Sequence, residues 1–213
     1  MDIIIAFKGE YLSVLEIADI FGMIAFALSG FFIGAKEKLD FLGIFLAAFL
    51  TALGGGITRD AIADKMPYAF TNILPIILVI GVVVLAIVFK LHRFDKFEKN
   101  IIFIVSDTFG LVSFAITGAI VAIEVDFNVF GVVMLGLLTA VGGSAIRDIM
   151  INRVPFFMIS EFYGTVAIIV AFIIYLLNLF DMVNLFNSIL VFIFGVALRL
   201  FGYYKGWKLP RIS

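Results

Sequence analysis

The chain has 213 residues, of which 64% are hydrophobic and only 15% are charged, and its mean hydropathy is +1.23. A soluble domain of this size cannot hide that much apolar surface, so the composition excludes a soluble protein and predicts an integral membrane protein. The net charge of -1, without a basic face, gives no reason to expect a nucleic-acid partner, and the absence of cysteine excludes disulfide and thiol chemistry.

Seven apolar stretches follow one another along the chain, each long enough to cross a bilayer as a helix. The short polar segments between them are too small to form a separate soluble domain. The stretches cover approximately residues 12–33, 41–63, 73–89, 101–123, 129–151, 162–179 and 185–201. The sequence therefore predicts an all-α membrane protein with seven transmembrane helices, organised as a single membrane domain over residues 1–213.

Lysine and arginine are distributed unequally between the two sets of loops. With seven spans, the loops on one side contain ten of these residues, and those on the other side contain only Lys8 and Lys65. Because cytoplasmic loops are enriched in basic residues, we expect a multi-pass protein of the cell membrane with its N-terminus outside and its C-terminus in the cytoplasm. The most basic segment, residues 90–99, could instead bind lipid headgroups, although topology alone accounts for it.

The two halves of the chain repeat each other at an offset of 88 residues, without a gap. The motif TALGGGITRD at residues 51–60 recurs as TAVGGSAIRD at residues 139–148, and Pro67 is matched by Pro155. Each copy contains three spans, so the second copy must enter the membrane from the opposite side. The sequence thus predicts an inverted repeat over about 12–92 and about 100–180, followed by an extra helix at about 185–204.

Clusters of small residues lie near the centres of the second and fifth spans, at residues 54–56 and 142–144. Glycine costs about 1 kcal/mol relative to alanine in a helix interior, so three small residues in a row suggest a function. We expect both spans to be kinked or broken there, with exposed backbone that lines a cavity. The alternative is close packing, since small residues allow two transmembrane backbones to approach each other. The clusters consist of Gly54, Gly55, Gly56, Gly142, Gly143 and Ser144.

Six ionisable residues recur in the two halves of the predicted membrane domain, and such residues usually face a partner or water. Neighbouring residues on a helix point in different directions, which argues against ion pairs within each Arg-Asp dipeptide. Matched depths predict pairs between helices, Asp19–Arg59 and Asp107–Arg147. Asp60 and Asp148 would then face an aqueous path; alternatively, all six residues are structural ion pairs. The six are Asp19, Arg59, Asp60, Asp107, Arg147 and Asp148.

The predicted helix breaks would also create a cation site. A helix that stops at mid-membrane has unpaired carbonyl oxygens with partial negative charge. Breaks near Gly54 and Gly142 would bring two such ends together, beside the hydroxyl groups of Thr51, Thr139 and Ser144. Carbonyl and hydroxyl oxygens suit monovalent cations. We therefore predict a transient K⁺ near the carbonyls of Gly54 and Gly142, no tight metal site and no cofactor, with membrane lipid as a further expected partner.

These features resemble the trimeric intracellular cation channels, in particular their short prokaryotic members. The resemblance rests on the duplicated glycine and Arg-Asp motifs, the three-plus-three-plus-one span pattern and the chain length, and it covers about residues 12–204. It implies a homotrimer in which each protomer has its own potassium-permeable pore, lined by the kinked second and fifth spans. Ser144 in place of a third glycine departs from the family pattern. A related bacterial family has been labelled a glycine transporter, so a carrier of a small neutral solute is the alternative.

Other classes of function are less consistent with the sequence. The single histidine, His92, lies in a charged loop, and the carboxylates lack the spacing of a metal site, so we do not expect an enzyme. A purely structural helical oligomer would tolerate any placement of glycine and arginine, and the duplicated placement argues against it.

Overall fold

The computed structural model describes residues 2–93, 96–159 and 162–207, with side-chain environments for residues 14–93, 101–158 and 162–207. The described residues form nine α-helices and one 3₁₀ turn, at Leu91–Arg93, and no strand. The helices are α1 (Asp2–Lys36), α2 (Phe41–Ile62), α3 (Tyr68–Thr71), α4 (Leu74–Val88), α5 (Lys96–Glu124), α6 (Val129–Met150), α7 (Phe156–Ile159), α8 (Tyr163–Leu179) and α9 (Leu185–Lys205).

Five of these helices are long and apolar enough to cross a membrane, namely α2, α6, α9 and the parts of α1 and α5 over Val14–Lys36 and Ile101–Glu124. The helices α4 and α8 are also apolar but have only 15 and 17 residues. The prediction of an all-helical, multi-pass membrane protein is confirmed. Two short helices, α3 and α7, lie where the sequence indicated only loops.

The same local devices begin and end the central helix of each half. Asp40 and Asn128 cap the N-termini of α2 and α6, where each side chain accepts a hydrogen bond from a backbone N–H three residues later, at 2.7 and 3.0 Å. These caps satisfy N–H groups that have no partner within the helix. After the helices end, Asp64 and Asn152 adopt the left-handed conformation, with φ angles of 54° and 57°. Both pairs of residues are 88 positions apart.

The centre of the bundle is the crossing of α2 and α6, where the two backbones are in direct contact. A Cβ atom on Gly55 would collide with the carbonyl oxygen of Thr139, and a Cβ atom on Gly143 would collide with the carbonyl oxygen of Thr51. The two contacts are reciprocal, because both the glycines and the threonines are related by the offset of 88 residues. Only glycine fits at these two positions.

The helices α2 and α6 each continue as one helix through the small-residue clusters. The breaks expected at Gly54–Gly56 and Gly142–Ser144 are therefore not confirmed, and neither are the convergent half-helix carbonyl ends that depended on them. Close packing explains Gly55 and Gly143 instead. It stabilises the helix pair through contacts that larger residues would prevent, which offsets the low helix propensity of glycine.

The helices α1 and α5 pack against each other and against the crossing, with α4 beside α1 and α8 beside α5 and α6. The rings of Phe26 and Phe114, also 88 residues apart, meet edge to face with their centroids 5.2 Å apart. Gly22 and Gly110 provide the space for these rings, since a Cβ atom on either would collide with the opposite phenylalanine. The two buried rings therefore fill the middle of the bundle next to α2 and α6.

The glycine contacts predict that alanine substitution at two neighbouring positions changes the free energy of unfolding by very different amounts. Gly55→Ala should lower the free energy of unfolding by about 1–3 kcal/mol, because the new methyl group meets backbone that cannot move aside. Gly56→Ala is the matched control, since its Cβ atom would lie 3.9 Å from the nearest atom, Nη2 of Arg59. Denaturant unfolding of the protein in detergent measures both. Equal effects at the two positions would contradict the packing account.

Candidate functional site

Three charged residues form a buried cluster between α1 and α2 in the first half of the chain. Nη1 of Arg59 is 2.7 Å from Oδ1 of Asp19, and Nε of the same arginine is 2.8 Å from Oδ1 of Asp60. All three residues are at most 8% exposed. The predicted contact between Asp19 and Arg59 is present, and the arginine also joins the two carboxylates.

A related group of three charged residues lies on α5 and α6 in the second half. Nε and Nη2 of Arg147 each lie 2.9 Å from Oδ1 of Asp148, and Nη1 donates a hydrogen bond of 3.1 Å to Oγ1 of Thr51 on the crossing helix. Asp107 accepts a hydrogen bond of 3.0 Å from Ser29 of α1. The hydrogen bonds of Arg147 thus go to Asp148 and Thr51, and the predicted ion pair between Asp107 and Arg147 is not found among the described residues.

Two expectations about these charges need correction. Arginine and aspartate do pair within each Arg-Asp dipeptide, because the long arginine side chain can fold back along its own helix. Asp60 and Asp148 are also not left without partners in the protein, because each binds the start of a short helix. Oδ2 of Asp60 accepts from the N–H of Tyr68 at 3.0 Å, and Oδ2 of Asp148 accepts from the N–H of Phe156 at 2.8 Å.

The oxygen atoms proposed as K⁺ ligands are largely occupied within their own helices. The hydroxyl groups of Thr51 and Thr139 each donate to a backbone carbonyl one turn earlier, at 2.6 Å, and that of Ser144 donates to the carbonyl of Val141 at 2.9 Å. The Gly54 carbonyl accepts from Thr58 at 2.8 Å. The unpaired carbonyl ends expected for the K⁺ site are therefore not seen at the crossing, where α2 and α6 continue as helices.

The first charged cluster lies in the wall of a cavity of about 370 Å³. Four carboxylates and two basic groups line this cavity, so its wall has a formal excess of two negative charges. The charged lining residues are Glu16, Asp19, Arg59, Asp60, Lys65 and Glu124. Lys65 and Glu124 form an ion pair of 2.7 Å that joins the end of α5 to the turn after α2. We refer to this space below as the acidic cavity.

A second, smaller pocket of about 20 Å³ extends inward from the acidic cavity and shares Asp19, Arg59 and Asp60 with it. Its wall includes Gly56 and Phe114, so it runs along α2 toward the central phenylalanine pair. A space of this size holds about one water molecule. The two spaces are therefore neighbours at the first charged cluster, and the smaller one reaches Phe114 of the central phenylalanine pair.

The structure also places residues near the second cluster that the sequence analysis did not select. Arg199 of α9 is only 2% exposed, and its guanidinium group lies over the ring of Tyr163, 4.9 Å from the centroid. The ring of Tyr163 packs edge to face against that of Phe156, whose N–H binds Asp148, so both residues adjoin the second cluster. Neither residue belongs to the duplicated motif. An arginine within the C-terminal part of an apolar span was the one available signal.

Sequence comparisons give a consistent set of relatives. The family model described as "Glycine transporter" matches residues 16–93 and 104–178. A UPF0126 membrane protein of Deinococcus radiodurans is 34% identical over 70% of this chain and 69% of its own length. The UPF0126 membrane protein YvgT of Bacillus subtilis is 30% identical over 93% of this chain and 96% of its own.

Solved structures with the same fold are TRIC cation channels. One, from work on conductance through these channels, has a TM-score of 0.81 and 32% identity over 93% of this chain and 97% of its own. A prokaryotic TRIC channel crystallised in 0.5 M KCl has a TM-score of 0.85 and 26% identity, covering 93% of this chain and all of its own. The Rhodobacter sphaeroides orthologue, at 24% identity and a TM-score of 0.83, supports the fold alone. These relatives are membrane proteins and channels, not enzymes.

The different bonding of the two clusters predicts different coupling energies. A double-mutant cycle of Asp19→Asn and Arg59→Gln should give a coupling of about 0.5–3 kcal/mol, because the two side chains share a short ion pair. The equivalent cycle of Asp107→Asn and Arg147→Gln should give a smaller value, since Arg147 bonds elsewhere. Denaturant unfolding in detergent measures both cycles. Additivity in the first cycle, or a larger coupling in the second, would contradict the assigned contacts.

Proposed function

The chain belongs to the family represented by the glycine-transporter model and the UPF0126 membrane proteins, and from this premise and its TRIC channel fold we propose that it is a cation channel. In this proposal each protomer has its own path, which begins in the acidic cavity and follows α2 toward the crossing with α6. The structural relatives are named as cation channels, and the chain matches them over nearly all of its described length.

The acidic cavity is the observation on which the proposal depends. Its excess of carboxylates lies next to apolar helices, where the low dielectric constant strengthens the attraction for a cation. An entrance lined by one sign of charge also raises the local concentration of the opposite ion. Because Arg59 neutralises part of the cluster and Asp60 is bound to α3, we expect weak, transient binding that permits permeation.

The small pocket beside Gly56 implies that the proposed ion path is closed in this structure. The pocket beside Gly56 holds about one water molecule and ends at Phe114, whose ring is packed against Phe26. A hydrated cation needs more space than this. We propose that opening moves the Phe26–Phe114 pair, while the contact between Gly55 and Gly143 keeps α2 and α6 together.

The second half supplies the other entrance if the two halves form an inverted repeat. This arrangement is supported by contacts that recur after exchanging the halves, as in an interface with two-fold symmetry. Examples are the reciprocal glycine contacts at the crossing and the two aspartates that cap α3 and α7. We propose seven membrane crossings, with the acidic cavity on the outer side and the Arg147 cluster on the cytoplasmic side.

Potassium as the permeant ion and a homotrimer as the assembly are the finer parts of the proposal. One relative was crystallised in KCl, and the Rhodobacter sphaeroides relative is named a trimeric intracellular cation channel. The cavity offers carboxylate and hydroxyl oxygen atoms, which suit monovalent cations. The glycine alternative rests on the description of the family model.

Recordings from purified protein in planar bilayers under a KCl gradient decide between these alternatives. We expect discrete single-channel steps that reverse toward the potassium equilibrium potential, because an open path passes ions without a carrier cycle. Proteoliposomes given labelled glycine in the external buffer provide the comparison. Saturable glycine uptake without potassium current would overturn the channel proposal and favour the carrier.

The proposed orientation predicts the sides of two segments. A reporter fused after Ser213 should be cytoplasmic, and one inserted in the turn at residues 124–128 should be external, because ten basic residues lie on the C-terminal side. Protease protection in sealed vesicles reports both positions. Finding the two reporters on the same side would exclude the seven-span inverted repeat.

A further inference from the structure

The helix α9 has no counterpart in the first half, and it brings an additional charge to the second cluster. Most of α9 is apolar and faces outward, and only 28% of its most apolar stretch is buried. Arg199 is an exception, at 2% exposure. Burying an arginine within a membrane span is costly, so its inward position indicates a specific environment.

That environment is built from aromatic rings and one carboxylate. The guanidinium carbon of Arg199 lies 4.9 Å from the ring centroid of Tyr163 and 5.9 Å from that of Tyr203, distances typical of cation–π contacts. Tyr163 is itself buried at the start of α8, and its ring meets that of Phe156 edge to face with the centroids 5.5 Å apart. Because the N–H of Phe156 donates a hydrogen bond of 2.8 Å to Asp148, this pair of rings joins Arg199 to the second cluster.

Comparison of the two clusters shows a difference in charge. The first contains one arginine and two aspartates and has a formal charge of -1, from Arg59, Asp19 and Asp60. The equivalent residues of the second half would give the same charge, but Arg199 makes that cluster neutral. The contact between Arg199 and the ring of Tyr163 is also specific to the second half, because Pro75 occupies the position equivalent to Tyr163.

We propose that Arg199 makes the path electrostatically asymmetric, so that cations enter more readily from the acidic cavity than from the Arg147 cluster. This inference rests on the proposed channel function and assigns a determinant of ion flow to a helix outside the repeat. A negative entrance concentrates cations and a neutral one does not. The current in symmetric KCl is therefore larger in one direction than in the other.

Variants that alter the charge of the second cluster in both directions test this inference. Arg199→Gln makes the cluster -1, and Asp107→Asn makes it +1. Two charge-neutral variants serve as controls: Arg199→Lys, and the double variant Arg199→Gln with Asp107→Asn. The readout is the ratio of the larger to the smaller single-channel current at equal voltages of opposite sign, which does not depend on the orientation of the inserted protein.

We expect a wild-type ratio of about two or more, from the difference in local cation concentration at the two entrances. Arg199→Gln should bring the ratio close to one, Asp107→Asn should increase it, and both neutral controls should keep the wild-type value. A structural role for Arg199 would instead make the double variant at least as abnormal as Arg199→Gln. If Arg199→Gln alone does not fold, the double variant decides, since it differs from Asp107→Asn only by the loss of the Arg199 charge and should return the ratio to the wild-type value.

The outcomes distinguish a failure of this inference from a failure of the proposed channel function on which it rests. A wild-type protein that gives no potassium current overturns the channel function, and the inference with it. A wild-type current whose directional ratio is the same in all variants overturns the role of Arg199 alone. A ratio that follows the formal charge of the cluster supports both.

Discussion

The rest of the structure depends on one backbone contact, between α2 and α6 at Gly55 and Gly143. Because neither residue has a Cβ atom, each Cα meets a carbonyl oxygen of the opposite helix directly. One helical turn further along lie Arg59 and Arg147, so the crossing also determines where the two guanidinium groups enter the bundle. The contact brings α6 close enough for Arg147 to bond to Thr51 of α2. Helix packing and charge placement thus have a common origin.

The buried charges are held by local geometry that compensates for their removal from water. Taking an ion out of water costs several kcal/mol, which attraction offsets only when the geometry is good and the remaining hydrogen-bonding groups are satisfied. The structure meets this condition twice, since Asp60 and Asp148 each bind both an arginine and the first N–H of a short helix. Replacing such groups by apolar residues would remove that cost altogether. The presence of the first cluster beside a polar cavity is therefore more consistent with ion passage than with stability alone.

The offset of 88 residues and the apolar spans were sufficient to predict the helical fold, the clustering of the charges and the contact between Asp19 and Arg59. The same pattern could not separate a broken helix from a closely packed one, because Gly54–Gly56 suits both and only the position of the opposite backbone decides. The bonding of Asp60 was missed because it depends on the chain returning as α3, a four-residue helix too short to give a periodic signal. Arg199 was missed because it occurs once, outside the repeat.

The central claim, that ions pass along α2 within each protomer, is best tested by cysteine accessibility, since the chain has no cysteine of its own. Gly56→Cys places a thiol in the pocket below the acidic cavity, and Gly81→Cys, where a side chain would meet open space on α4, is the control. The account predicts that a cationic thiol reagent blocks the potassium current of Gly56→Cys channels stepwise, one protomer at a time, and leaves Gly81→Cys channels unchanged. Full modification of Gly56→Cys, verified by mass spectrometry, with no loss of current would contradict it.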